Sequence, residues 1–115
     1  MRDLIQEKIE KNNEQCEIRV ITDGAEYEQE LLKKVREEAD GLAHAQSREE
    51  FLSEYADLMV VLDALTAKLE ISEAEIKLAI EANVTKKGLY KSRHFLYWSG
   101  AEAQYKSNES PQGIQ

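Results

Sequence analysis

EYADLMVVLDAL, residues 54–65, is the stretch on which the fold turns. Side chains three or four positions apart share one face of an α-helix, and Leu58, Val61, Leu62 and Leu65 fall on such a face. Glu54 and Asp57 stand in line with them: Leu58 is four beyond Glu54, and Val61 is four beyond Asp57. Carboxylates set into an apolar stripe are unusual, because an unpaired charge in a low-dielectric site is costly. They call for a proton, a cationic partner or a metal ion.

Outward from this stretch the helical spacing continues. Ser47 with Glu50 three residues later has the form of a capping box, and Phe51 and Leu69 extend the stripe, which predicts a long helix over about 48–69. Asp23 with Glu26 repeats the signature ahead of Tyr27, Leu31, Val35 and Leu42, which predicts a first long helix over about 24–44. Ser72 with Glu75 starts a third, carrying Ile76, Ala79 and Ile80 and ending near Lys86, Lys87 and Gly88. Residues 2–12 have a short helical spacing in Leu4, Ile5 and Ile9, and EIRVI, residues 17–21, alternates charged and apolar side chains as a short strand or extended arm would.

The expected architecture is therefore all-α: an antiparallel helical bundle of two long helices with a third, short N-terminal segment. A chain of 115 residues suffices for one domain, read here as residues 1–98. From Ser99 onward the periodicity is lost and Ser, Gly, Asn, Gln and the sole proline, Pro111, gather, so residues 99–115 are expected to form a flexible tail. A helical protomer of this size often completes its core by oligomerising, and a homodimer or tetramer is expected.

The partner helix repeats the misplaced acid. In VREEADGLAHA, residues 35–45, Glu38 lies three beyond Val35 and four before Leu42, with Glu37 at its flank. Glu38, Glu54 and Asp57 thus form a candidate metal-binding set on facing helices, the way helical bundles build carboxylate sites, and hard oxygen ligands suit Mg²⁺. Alternatively, acids flanking a stripe simply reach water. Gly41 in the same stretch costs about 1 kcal/mol relative to alanine in a helix interior, so something must offset it.

A second constellation is TKKGLYKSRHFLYW, residues 85–98, with Lys86, Lys87, Lys91 and Arg93 and no acid among them. These cations can neutralise substrate phosphates while Tyr90, Phe95 or Trp98 stacks on a base. The alternative is a helix C-terminus whose lysines answer the macrodipole, followed by apolar residues that dock on the bundle.

Composition narrows the partners. A net charge of −8 argues against nucleic acid, and an anionic substrate would need a counter-cation. No apolar run approaches the roughly 20 residues of a membrane span, and the N-terminus lacks a signal-peptide core; a soluble, cytoplasmic protein is expected. The single cysteine, Cys16, has no disulfide partner and reads as a half-buried small residue. There is no GxxxxGK[ST] loop and no GxSxG elbow, and His44 and His94 lack HExxH spacing, so they read as surface or half-buried side chains.

With both acidic helices in view, the chain resembles the all-α nucleoside triphosphate pyrophosphatases, the MazG-like and phosphoribosyl-ATP pyrophosphohydrolase-like group, and in particular their short house-cleaning members. The similarity runs over residues 2–96: Arg2, Asp3 and Ile5 match an opening RD-I segment, and VITDGAEY, KVREEADGL, EYADLMVVLDAL and KGLY match later segments. The resemblance implies Mg²⁺-dependent hydrolysis of a nucleoside triphosphate to a monophosphate and pyrophosphate. It implies Glu38, Glu54 and Asp57 as metal ligands and Glu37 as the catalytic acid that orders or activates water. The family's ExxE motif has its second glutamate where Gly41 stands; Asp40 is one residue, about 100°, round the helix. Val60, Asn83 and Gln6 also replace a frequent glutamate, a frequent lysine and a usual proline. Two functions are therefore expected to compete: a pyrophosphohydrolase with a reduced acid set, and a non-catalytic helical homo-oligomer serving as a binding or structural module.

Overall fold

The computed structural model describes residues 1–100 and the backbone of Lys106–Ser107. It contains helices α1 (Ile5–Lys11), α2 (Gly24–Ala43), α3 (Arg48–Lys68) and α4 (Glu73–Lys87). Two residues of β1 (Trp98–Ser99) pair antiparallel with β2 (Lys106–Ser107), Trp98 opposite Ser107. The class is all-α, as the spacing predicts. Most of the tail expected from residue 99 lies outside the described residues. The chain forms two compact units, Met1–Ser72 and Glu73–Gln115.

In the first unit, the caps set the helix starts. Asp23 accepts a hydrogen bond from the Glu26 backbone N–H at 3.3 Å, opening α2. Ser47 does the same from Glu50 at 3.0 Å, opening α3, and the Glu50 carboxylate in turn accepts from the Gln46 N–H at 2.9 Å. Such caps satisfy backbone donors that a helix start leaves without partners. The short connection between α2 and α3 folds them back on each other. Gly24, at the start of α2, lies beside Lys68 at the end of α3, and Gly41, near the end of α2, lies beside Glu54, so the pair runs antiparallel.

The facing stripes are the predicted ones. Leu31, Val35, Glu38 and Leu42 on α2 and Glu54, Asp57, Leu58 and Leu62 on α3 are half-buried. Among the described residues only Val61 and Leu65, both on α3, are buried. Tyr27, Leu32, Phe51, Leu52, Tyr55 and Met59 remain exposed on the same two helices, a large apolar surface for so small a hairpin.

One open alternative is settled and one local expectation needs correction. Of the two readings of residues 17–21, short strand or extended arm, the strand does not form, because the described residues offer no neighbouring strand to pair with, and the segment runs as an arm ahead of α2. The arm is tied to α2 by Arg19, whose guanidinium engages both carboxylate oxygens of Glu26, one of them at 3.1 Å. Cys16, expected to be half-buried, is exposed, because it lies on this arm and outside any helix.

In the second unit, α4 ends as predicted. Gly88 adopts φ +80°, a left-handed conformation that favours glycine, and its N–H donates to Val84 O at 2.8 Å. No side chain of α4 is buried, and Leu78 and Ile80 are exposed. Among the described residues no helix is long and apolar enough to cross a membrane.

Candidate metal centre

The antiparallel hairpin brings Glu38 of α2 together with Glu54 and Asp57 of α3. One carboxylate oxygen from each lies within 4.8 Å of the other two, and all three residues are half-buried. Sequence spacing put Glu54 and Asp57 on one face; the antiparallel register supplies Glu38. Three anions this close repel one another, by about 1 kcal/mol per pair even at the dielectric constant of water. A cation at their centre turns that repulsion into attraction. The donor set is all carboxylate oxygen, which fits Mg²⁺ or another hard divalent ion and not a thiophilic one. Opposite ligands of Mg²⁺ stand roughly 4.2 Å apart, a spacing within reach of three flexible carboxylates whose oxygens lie within 4.8 Å of one another.

The packing at Gly41 explains why a helix interior carries a glycine. A Cβ placed there would stand 2.8 Å from Glu54 Oε2, 3.2 Å from Cδ and 3.3 Å from Oε1. The Glu54 carboxylate occupies the volume that any side chain at position 41 would need to enter. Along α2, Gly41 stands where the ExxE motif has its second acid. In the structure that space is already filled by an acid from the opposite helix.

Glu37 sits differently. It is exposed, and Lys34 holds its carboxylate at 3.1 Å. One position from Glu38, it is turned about 100° round the helix and is not one of the three converging acids. His44 is a surface residue at the C-cap of α2, with Nδ1 2.8 Å from Asp40 O.

A cleft of about 690 Å³ adjoins the acids, with Glu38 and Asp57 among its lining. Its walls are apolar at Ile21, Leu31, Val60 and Val61, and Tyr27 adds an aromatic ring. Two cations outside the basic 86–93 cluster line it as well, Arg2 and Lys34. Arg2 Nη1 lies 3.2 Å from Asp57 Oδ1. Their signals were present: Arg2 opens the RD-I segment, and Lys34 stands one helical turn before Glu38. What was missing was the path by which the N-terminus returns to α3, 55 residues away in sequence.

The four cations of the basic 86–93 cluster belong to the second unit. Lys86 and Lys87 form the last turn of α4, and Lys91 and Arg93 follow it, all exposed. Nearby Tyr90, Phe95, Tyr97 and Trp98 are exposed too, with the Phe95 and Tyr97 rings in edge contact at 5.1 Å.

The first unit is thus a helical hairpin with a carboxylate cluster suited to a divalent cation. Searches against protein-family models, curated proteins and solved structures match this chain to none of them.

Proposed function

We propose that the protein is a Mg²⁺-dependent nucleoside triphosphate pyrophosphohydrolase that clears damaged or non-standard nucleotides. The observation that carries this reading is the convergence of Glu38, Glu54 and Asp57 from two antiparallel helices beside a cleft that holds cations and apolar walls. The reaction consumes one water at the α–β phosphoanhydride bond and yields a nucleoside monophosphate and pyrophosphate. Bound Mg²⁺ supplies charge neutralisation for the phosphates and a more acidic water. Glu38, Glu54 and Asp57 hold it. Glu37 orders the attacking water, a role that rests on the family resemblance, since in the structure it is exposed, paired with Lys34 and not among the residues that line the cleft. Lys86, Lys87, Lys91 and Arg93 add positive charge for phosphates, an assignment that rests on their sequence clustering.

Assembly is part of the proposal. With only Val61 and Leu65 buried among the described residues, a second copy packing on the exposed apolar side chains of α2 and α3 completes the core as a homodimer or tetramer. The same surface serves the competing reading, a non-catalytic homo-oligomer, so assembly does not separate the two. Turnover does. The full chain is incubated with Mg²⁺ and a panel of standard and damaged NTPs and dNTPs, and pyrophosphate is measured; release from at least one substrate, abolished by EDTA, is expected. A folded protein silent across the panel refutes the enzyme and leaves the binding module.

A further inference from the structure

The geometry points to Arg2 as the residue that grips the substrate's phosphates, exchanging Asp57 for them when the divalent ion binds. This inference rests on the metal reading proposed above and moves the principal phosphate contact from the second unit to the N-terminus of the first. Arg2 Nη1 lies 3.2 Å from Asp57 Oδ1, with the two side chains 58% and 37% exposed. Both residues line the same cleft, as do Glu38 and Lys34.

The reasoning is electrostatic. Asp57 serves two cations in turn: Arg2 in the metal-free protein, and the divalent ion once it is bound. An exposed ion pair of this kind is weak, so it yields readily. A divalent ion on Asp57 then repels the guanidinium, and the arrangement that satisfies both cations places an anion between them. A phosphate oxygen fits that place. The guanidinium has five N–H donors in a planar fork that matches phosphate geometry, and its hydrogen bond to Asp57 engages one nitrogen. Lys34, at the same cleft, adds charge. The apolar walls with Tyr27 suit the nucleoside end.

This exchange has a signature that a structural tether lacks: removing Arg2 acts with opposite sign on the two ligands. By calorimetry, Mg²⁺ alone and then the magnesium complex of inorganic tripolyphosphate are titrated into the full chain and into Arg2→Gln and Arg2→Lys. Tripolyphosphate carries the charge of any triphosphate substrate without a base. Arg2→Gln is expected to bind Mg²⁺ more tightly, by up to about fivefold, because its competitor for Asp57 is gone. The same variant should bind magnesium tripolyphosphate at least about tenfold more weakly. Arg2→Lys, which keeps the charge and loses the fork, should fall between wild type and Arg2→Gln for tripolyphosphate. Weaker binding of both ligands in Arg2→Gln makes Arg2 a tether and overturns the inference; so does unchanged tripolyphosphate binding. Wild type that binds Mg²⁺ but not its tripolyphosphate complex also overturns it while the metal reading stands. Wild type that ignores Mg²⁺ overturns both.

Discussion

Replacing Gly41 by alanine should make the metal-free protein more stable and the metal site worse. The helix gains about 1 kcal/mol when alanine replaces an interior glycine. The new Cβ meets Glu54 Oε2 at 2.8 Å, inside any real contact distance, and the obstacle is the end of a flexible side chain rather than backbone. The carboxylate therefore swings away at little steric cost, and in the absence of metal its departure also relieves repulsion from Glu38 and Asp57. With about 1 kcal/mol equivalent to about 4–8 °C in Tm for a domain of this size, Gly41→Ala should melt several degrees higher in EDTA. In Mg²⁺ the order changes. The wild type is stabilised according to RT ln(1 + [Mg²⁺]/Kd), whereas the variant has lost the seat of one of three ligands, a defect of about 10- to 100-fold in affinity if it resembles the loss of other supporting contacts. Thermal unfolding in EDTA and across a Mg²⁺ series reads both effects. An equal Mg²⁺-induced rise in Tm for wild type and variant would refute the seating of Glu54 on Gly41. Gly41→Glu is expected to behave like the alanine variant at the metal, since its Cβ meets the same carboxylate, and not to complete an ExxE motif.

Asp57→Asn and Glu54→Gln should each lower pyrophosphate release by at least about 100-fold, measured at saturating Mg²⁺; unchanged turnover in both would put the site elsewhere. Leu65→Ala, at one of the two buried positions, should destabilise the fold by about 2–5 kcal/mol in urea titrations, and a loss below 1 kcal/mol would mean that the hairpin interface is not the core. The Arg19 hydrogen bond and charge hold Glu26 below its ordinary value, outweighing the opposing effect of partial desolvation. A carboxyl with a lowered folded value contributes stability above its unfolded value and loses it as pH falls through the folded one. The stability difference between wild type and Arg19→Gln should therefore be present at pH 7 and shrink as pH falls below about 4.3, read from urea unfolding at each pH. A difference that grows on acidification would contradict the pair.

Much of the fold was legible because its signals are local. Asp23 and Ser47 cap where their side chains can reach a backbone N–H three residues on, and Gly88 ends α4 because its left-handed backbone favours a residue without Cβ. The stripe through Glu54, Asp57, Leu58 and Val61 follows from 3.6 residues per turn. Local spacing also left one choice open. Residues 17–21 alternate as a strand does, but pairing is a property of two segments, and among the described residues no second one lies beside them.

The sequence by itself determined which side chains share a face, and so that two acids of α3 and one of α2 lie on apolar stripes. Only the tertiary structure decided how those stripes register, because the offset between two antiparallel helices depends on packing across the interface and not on the period within either one. That register brings Glu38 to Glu54 and Asp57, and the path of the N-terminal segment, equally invisible in local spacing, returns Arg2 to Asp57. It also reverses the meaning of Gly41: seen along one helix, the glycine lacks an acid; across the interface, it makes room for the acid of its neighbour.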